Sequence, residues 1–144
     1  MDSKQMKDSV QRLYNEVYTK GQLSVCDELC DPNLKFHDAA AESYKPGVSA
    51  FKDSEKAYHR AFPKKEPKIE DIFVNDDKVV VRWSCKGKHE GELQGTPATH
   101  RPFKISGISI YQFKNGKISE VWQSWDRLSL LEQLGIAQPV HALH

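Results

Sequence analysis

The side chains best suited to chemistry crowd into "KISEVWQSWD", residues 117–126, just before an apolar run. Trp122 and Trp125 bring large apolar surfaces, each with a single N–H donor. Gln123 can donate and accept hydrogen bonds but cannot exchange a proton near neutral pH. Asp126 has two readings. It is either a buried acid–base carboxylate or the N-cap of the helix that begins directly after it. His89 closes the long strand "KVVVRWSCKGKHEGEL" (78–93) on the same face as Val79, Val81, Trp83 and Cys85. There it is either a satisfied core or rim residue or a proton carrier near neutral pH. His37 in "NLKFHDA" and Tyr111 in "FKISGISIYQF" add polar groups able to orient a ligand.

Helices and strands must bring these residues together. Met6, Val10, Leu13, Tyr14, Val17 and Tyr18 recur at helical spacing, predicting a helix over 3–19 that Gly21 stops. A second helix is predicted over 22–30, ended by Pro32, then an extended segment at 33–39. A third spans 47–62, with Val48, Phe51, Tyr58 and Phe62 on one stripe. From Pro67 the period changes to two. Residues 68–74 and 78–93 form one hairpin around Asn75-Asp76-Asp77, and 103–113 and 117–126 a second around Asn115-Gly116. Residues 94–102 read as a loop, 127–135 as a closing helix and 136–144 as a tail. Helices followed by long strands predict an α+β domain, its helices packed on a strongly bent antiparallel sheet.

Strict alternation puts Val121, Gln123 and Trp125 on one face of the last strand, and Ile118, Glu120, Trp122, Ser124 and Asp126 on the other. Ile108 and Ile110 share the outer face of the strand before it. A second copy of the chain is the simplest cover for that face, so a homodimer is expected.

Composition removes several functions. A formal net charge of +1 over 144 residues leaves no basic surplus for nucleic acid, and Lys64-Lys65 reads as solvated surface. No apolar run nears the roughly 18 residues of a membrane span, and "MDSKQMKDSV" has no apolar core of a secretion signal. Cys26, Cys30 and Cys85, an odd count, suit free thiols in the cytoplasm. His37, His89 and His100 lack close ligand spacing, so no metal is expected.

"FHDAAA", "GVSAFK", "AFP", "IEDIFVNDDKVVVRW", "GKHEGEL", "GTPATHRPF", "SGISIYQFKNGKISEVW" and "LLEQLG" occur in that order. The set resembles the SnoaL-like polyketide cyclase (ester cyclase) family of the nuclear transport factor 2-like superfamily, from the first helix to Gly135. The resemblance implies one domain over 1–144, with 136–144 as its tail. It implies a cone-shaped α+β barrel, commonly dimeric, with an apolar pocket and no cofactor or metal. Cyclases of this kind close a ring by an intramolecular aldol reaction, which needs a base for an acidic C–H and an acid for the carbonyl oxygen.

By the same resemblance, the family's carboxylate falls at Gln123 and its preceding histidine at Val121. An asparagine falls at His37, and the histidine after the long strand is kept as His89. Two functions follow. One is acid–base chemistry (aldol cyclase, isomerase or lyase) on an apolar carbonyl compound, with Asp126, His89 or His37 moving the proton. The other is non-catalytic binding of a hydrophobic or aromatic metabolite. The expected pocket is lined by Trp83, His89, Tyr111, Gln123 and Trp125, with His37 as a further ligand contact.

Overall fold

Asp2 starts the first helix by accepting the Gln5 backbone N–H, while the Gln5 side chain accepts the Asp2 N–H, a reciprocal capping box. The structure, a computed structural model, describes residues 1–39 and 45–137. Helix α1 (Ser3–Arg12) buries Met6 and Val10, and the chain continues as a wider π-helical segment over Leu13–Thr19. The Thr19 hydroxyl donates to the Tyr14 carbonyl at 2.8 Å within that segment. The predicted helix over 3–19 thus has the right extent but two windings, and π-helical turns recur at functional sites. Helix α2 (Val25–Leu29) is shorter than predicted because Cys30 is already extended. Helix α3 (Val48–Ala61) follows Gly47, whose φ of 101° suits glycine alone.

The strands are β1 (Cys30–Asp38), β2 (Lys45–Pro46), β3 (Glu66–Asn75), β4 (Lys78–Lys88), β5 (Pro102–Lys114) and β6 (Lys117–Trp125). They form one sheet in the order β2-β1-β6-β5-β4-β3. Both predicted hairpins are present, with Asn75 opposite Lys78 and Lys114 opposite Lys117. Asn115 and Gly116, at φ 53° and 78°, supply the left-handed pair that a tight hairpin needs. Helix α4 (Arg127–Gln133) closes the described chain against β5.

Four details differ from the sequence reading. The sheet is mixed, because β1 pairs with β6 in parallel after the chain crosses over through α3 and four strands. It is also open, with β2 and β3 as its edges. Strand β4 ends at Lys88; beyond it Leu93 and Thr96 exchange both backbone hydrogen bonds around Gln94-Gly95. In β6 the pairing jumps from Glu120 opposite Gln112 to Ile118 opposite Phe113, so Ser119 is an extra residue. That bulge turns Ile118 inward beside Val121, at 0% and 1% exposure, rather than outward with Glu120. Residues 40 and 41 of "FHDAAA", and the end of the tail from 138, lie outside the described residues.

The inner sheet face and the helices bury Val10, Leu13, Val17, Leu34, Val79, Val81, Tyr111 and Leu134 in one core. On the outer face Phe73, Val80, Ile110, Trp122 and His37 lie directly opposite one another across β3, β4, β5, β6 and β1. No described helix is long and apolar enough to cross a membrane.

Candidate functional site: an aromatic cavity with a buried ion pair

Residues from the π-helical segment, α3, β4, β5, β6 and α4 surround a cavity of about 110 Å³ on the inner sheet face. Its walls are aromatic. Tyr14 and Tyr18 meet edge to face at 4.8 Å, Tyr58 and Trp125 at 6.1 Å, and Trp83 and Phe103 complete the lining. The Trp83 indole packs against β5 at Gly107. A methyl group there would sit 2.4 Å from the indole, so the bare glycine makes room for the ring.

A relay of hydrogen bonds runs along the sheet beside the cavity. Trp83 Nε1–H donates to Ser109 Oγ at 3.0 Å, and Ser109 donates to Gln123 Oε1 at 3.2 Å. Gln123 Nε2 lies 3.5 Å from Asp38 Oδ2, and Trp125 Nε1–H donates to both Asp38 oxygens at 3.1 and 3.2 Å. Ser109 Oγ accepts the Trp83 N–H and gives its own proton to Oε1, so the nitrogen end of the Gln123 amide faces Asp38. One Nε2–H is committed to that side, which leaves the second as a donor on a residue that lines the cavity.

A second polar group on the cavity comes from helix α3 and the loop that follows it. Glu55 and Lys65, 9% and 8% exposed, form a buried ion pair on the cavity surface. Burial pushes the Glu55 carboxyl above its ordinary value, and the Lys65 ammonium pulls it part of the way back. The Lys65 ammonium also lies 5.8 Å from the centre of the Tyr18 ring. Behind the wall, Tyr111 donates to Tyr14 at 3.1 Å and its hydroxyl lies 3.2 Å from that of Tyr18. Burial raises all three phenols well above 10, so they stay protonated. The Cys85 thiol, also on the cavity, is pushed up to about 11 by burial and is unreactive at neutral pH.

Of the residues singled out from sequence, Trp83, Gln123 and Trp125 line the cavity. Tyr111 lies one layer behind it, fully buried. His37 is corrected to the opposite sheet face. There its Nε2 lies 2.6 Å from Glu120 Oε2 and its ring stacks on Trp122 at 5.7 Å. His89 is fully buried outside the lining, its ring 5.7 Å from Phe62. Its Nδ1 accepts the Thr99 N–H at 3.1 Å, which puts the ring proton on Nε2. Asp126 is exposed and accepts the Ser129 N–H at 2.9 Å, which is the helix-cap geometry.

Asp38, Glu55 and Lys65 were missed, and each had a signal. Asp38 alternates with Leu34 and Phe36, the inward residues of β1. Glu55 falls on the α3 stripe between Phe51 and Tyr58. Lys65 sits between Pro63 and Pro67, and its burial overturns the solvated reading of Lys64-Lys65. Among the described residues, no group of three or more His, Cys, Asp or Glu side chains is arranged to hold a metal ion.

The sequence profile described as SnoaL-like polyketide cyclase matches residues 8–134, and the chain belongs to that family. Solved structures agree in fold. A candidate polyketide cyclase from Acidithiobacillus ferrooxidans is 27% identical, with 91% of this chain and 94% of that one covered and a TM-score of 0.79. IdmH from Streptomyces antibioticus, described in the same terms, is 28% identical over 90% and 97% of the two chains, with a TM-score of 0.76. A SnoaL-like protein from Jannaschia sp. CCS1 has a TM-score of 0.86 at 21% identity, covering 95% of each chain, and speaks to the fold alone. Comparison with the curated proteins finds no match.

Proposed function

We propose that this protein binds a small apolar carbonyl compound in the aromatic cavity and that Gln123 orients the carbonyl oxygen through its second Nε2–H. The observation that carries this reading is the locked amide. Ser109 and Asp38 fix which end of Gln123 is which, and the remaining donor belongs to a residue of the cavity wall. Membership of the family supports cyclase- or isomerase-type chemistry in general. About 110 Å³ is somewhat less than the roughly 150 Å³ cavity that admits benzene, so the ligand is a single ring or the reacting end of something larger. Binding without chemistry is the second reading. The observation in its favour is Gln123 itself, an amide where the resemblance puts a proton-exchanging carboxylate.

Cyclohexanone and methylenecyclohexane have nearly the same shape, but only the first has a carbonyl oxygen. Titration calorimetry should show the ketone binding about tenfold more tightly, the worth of one hydrogen bond in a desolvated site. Gln123→Leu should remove that preference while leaving methylenecyclohexane binding in place. Equal affinities for the two compounds in the unmodified protein would contradict the proposal.

We further propose that two copies of the chain pair through the outer sheet face. Phe73 and Ile108, 56% and 51% exposed, support this, as does the apolar row Phe73, Val80, Ile110 and Trp122 that runs across four strands. Three buried free cysteines support a reducing, cytoplasmic setting.

A further inference from the structure

The buried Glu55–Lys65 pair has an asymmetry that a purely structural ion pair does not need. Glu55 Oε1 takes the Lys65 ammonium, whereas Oε2 accepts no hydrogen bond from any described residue. Nor is Oε2 among the sealed polar atoms left without a partner, so it keeps accessible surface. Both residues line the cavity that the Gln123 amide also lines, Glu55 from helix α3 and Gln123 from strand β6. A carboxylate with one oxygen anchored and one free toward a ligand pocket is arranged to take and return a proton. An ion pair buried for stability alone does better with all its lone pairs satisfied.

We propose that Glu55 is the proton-transfer group of this cavity, acting on the carbon next to the ligand's carbonyl; this rests on the carbonyl-binding reading above. Glu55 Oε2 takes a proton from that carbon. The C–H electron pair becomes the C=C bond of an enolate, and the carbonyl π pair moves to oxygen, held by the Gln123 N–H. The proton now on Glu55 then returns to the same carbon, which exchanges it, or to a conjugated carbon, which isomerises the compound. No oxidant, reductant or second reactant is needed. Lys65 is a positioning residue. It holds Oε1, fixes the direction of Oε2 and balances the carboxylate charge between turnovers. The chemistry therefore moves from the strand position where the resemblance expects a carboxylate to helix α3, which lines the same cavity.

The test is deuterium incorporation next to the carbonyl of cyclohexanone in D2O, followed by proton NMR beside the binding titration. The unmodified protein should accelerate exchange above the buffer rate. Glu55→Gln should lose about 10²- to 10⁴-fold of that acceleration while binding cyclohexanone as before. Should Glu55→Gln not fold, the pH profile of the unmodified protein decides. Exchange should rise with pH through one ionisation lying above 4.5, the direction in which burial moves Glu55. Binding without acceleration, exchange unchanged in a folded Glu55→Gln, or a profile without that ionisation would each overturn the inference while leaving the binding proposal standing. Failure of cyclohexanone to bind at all would instead remove the binding proposal, and this inference with it.

Discussion

Lys65→Met should destabilise the fold by about 3–5 kcal/mol near pH 7.5, the usual effect of stripping the partner from a buried charge. Lys65 and Glu55 are both more than nine-tenths buried, so water cannot replace the lost ammonium. The pH dependence has a definite sign. Burial holds the Glu55 carboxyl above its ordinary 4.5, and losing Lys65 moves it further up. Between the unfolded and the folded value, the folded chain holds more protons than the unfolded one. Stability therefore falls as pH rises through that window, from about 4.5 upward, and levels off above the folded value. The variant should be closest to the unmodified protein near pH 5 and furthest from it above neutrality. Adding Glu55→Gln should recover most of the loss, because no charge is then left unpaired. Urea unfolding of the single and double variants at pH 5 and 7.5 measures both effects. A Lys65→Met variant within about 1 kcal/mol of the unmodified protein at both pH values would show that the pair is not buried in solution.

Ile108→Asp should weaken self-association by about 100-fold or more. In a two-fold interface each substitution appears twice, and two unpaired carboxylates would lose their water together. Ile108 is half exposed in the single chain, so the substitution spares the fold and acts on pairing alone. Sedimentation at micromolar concentration should show the unmodified protein near twice 16.5 kDa and the variant near 16.5 kDa. A monomer in both cases would contradict pairing through this face.

The elements fixed by local chemistry were legible in the sequence. Asn115-Gly116 forces a left-handed pair, so the second hairpin could be located to the residue. The alternation of Val79, Val81, Trp83 and Cys85 identified the inner face of β4. Long-range pairing was not legible, because nothing local to Phe36 or His37 says that β1 will lie parallel to β6. The Ser119 bulge was hidden for a related reason: alternation assumes a regular pleat, and one extra residue reverses every assignment before it.

The candidate site divides along the same line. Trp83, Gln123 and Trp125 follow from strand periodicity, and they line the cavity. His37 drew attention by its chemistry, although alternation with Leu34 and Phe36 already put its neighbour Asp38 inward. Glu55 escaped because a charged residue on an apolar stripe looks like an interruption rather than a member of it. Burial of its partner Lys65, a loop residue away from any periodic element, is what makes the position tenable.

The central claim is that a carbonyl compound sits against Trp83, Gln123 and Trp125. The three indoles provide the most direct test, since Trp83 and Trp125 line the cavity while Trp122 stacks on His37 on the other sheet face. Each indole N–H gives its own resonance in an ¹H–¹⁵N spectrum of the ¹⁵N-labelled protein. Titration with cyclohexanone should move the Trp83 and Trp125 signals along one saturable curve and leave Trp122 in place. Movement of Trp122 alone, or of none of the three at saturating ketone, would contradict the account.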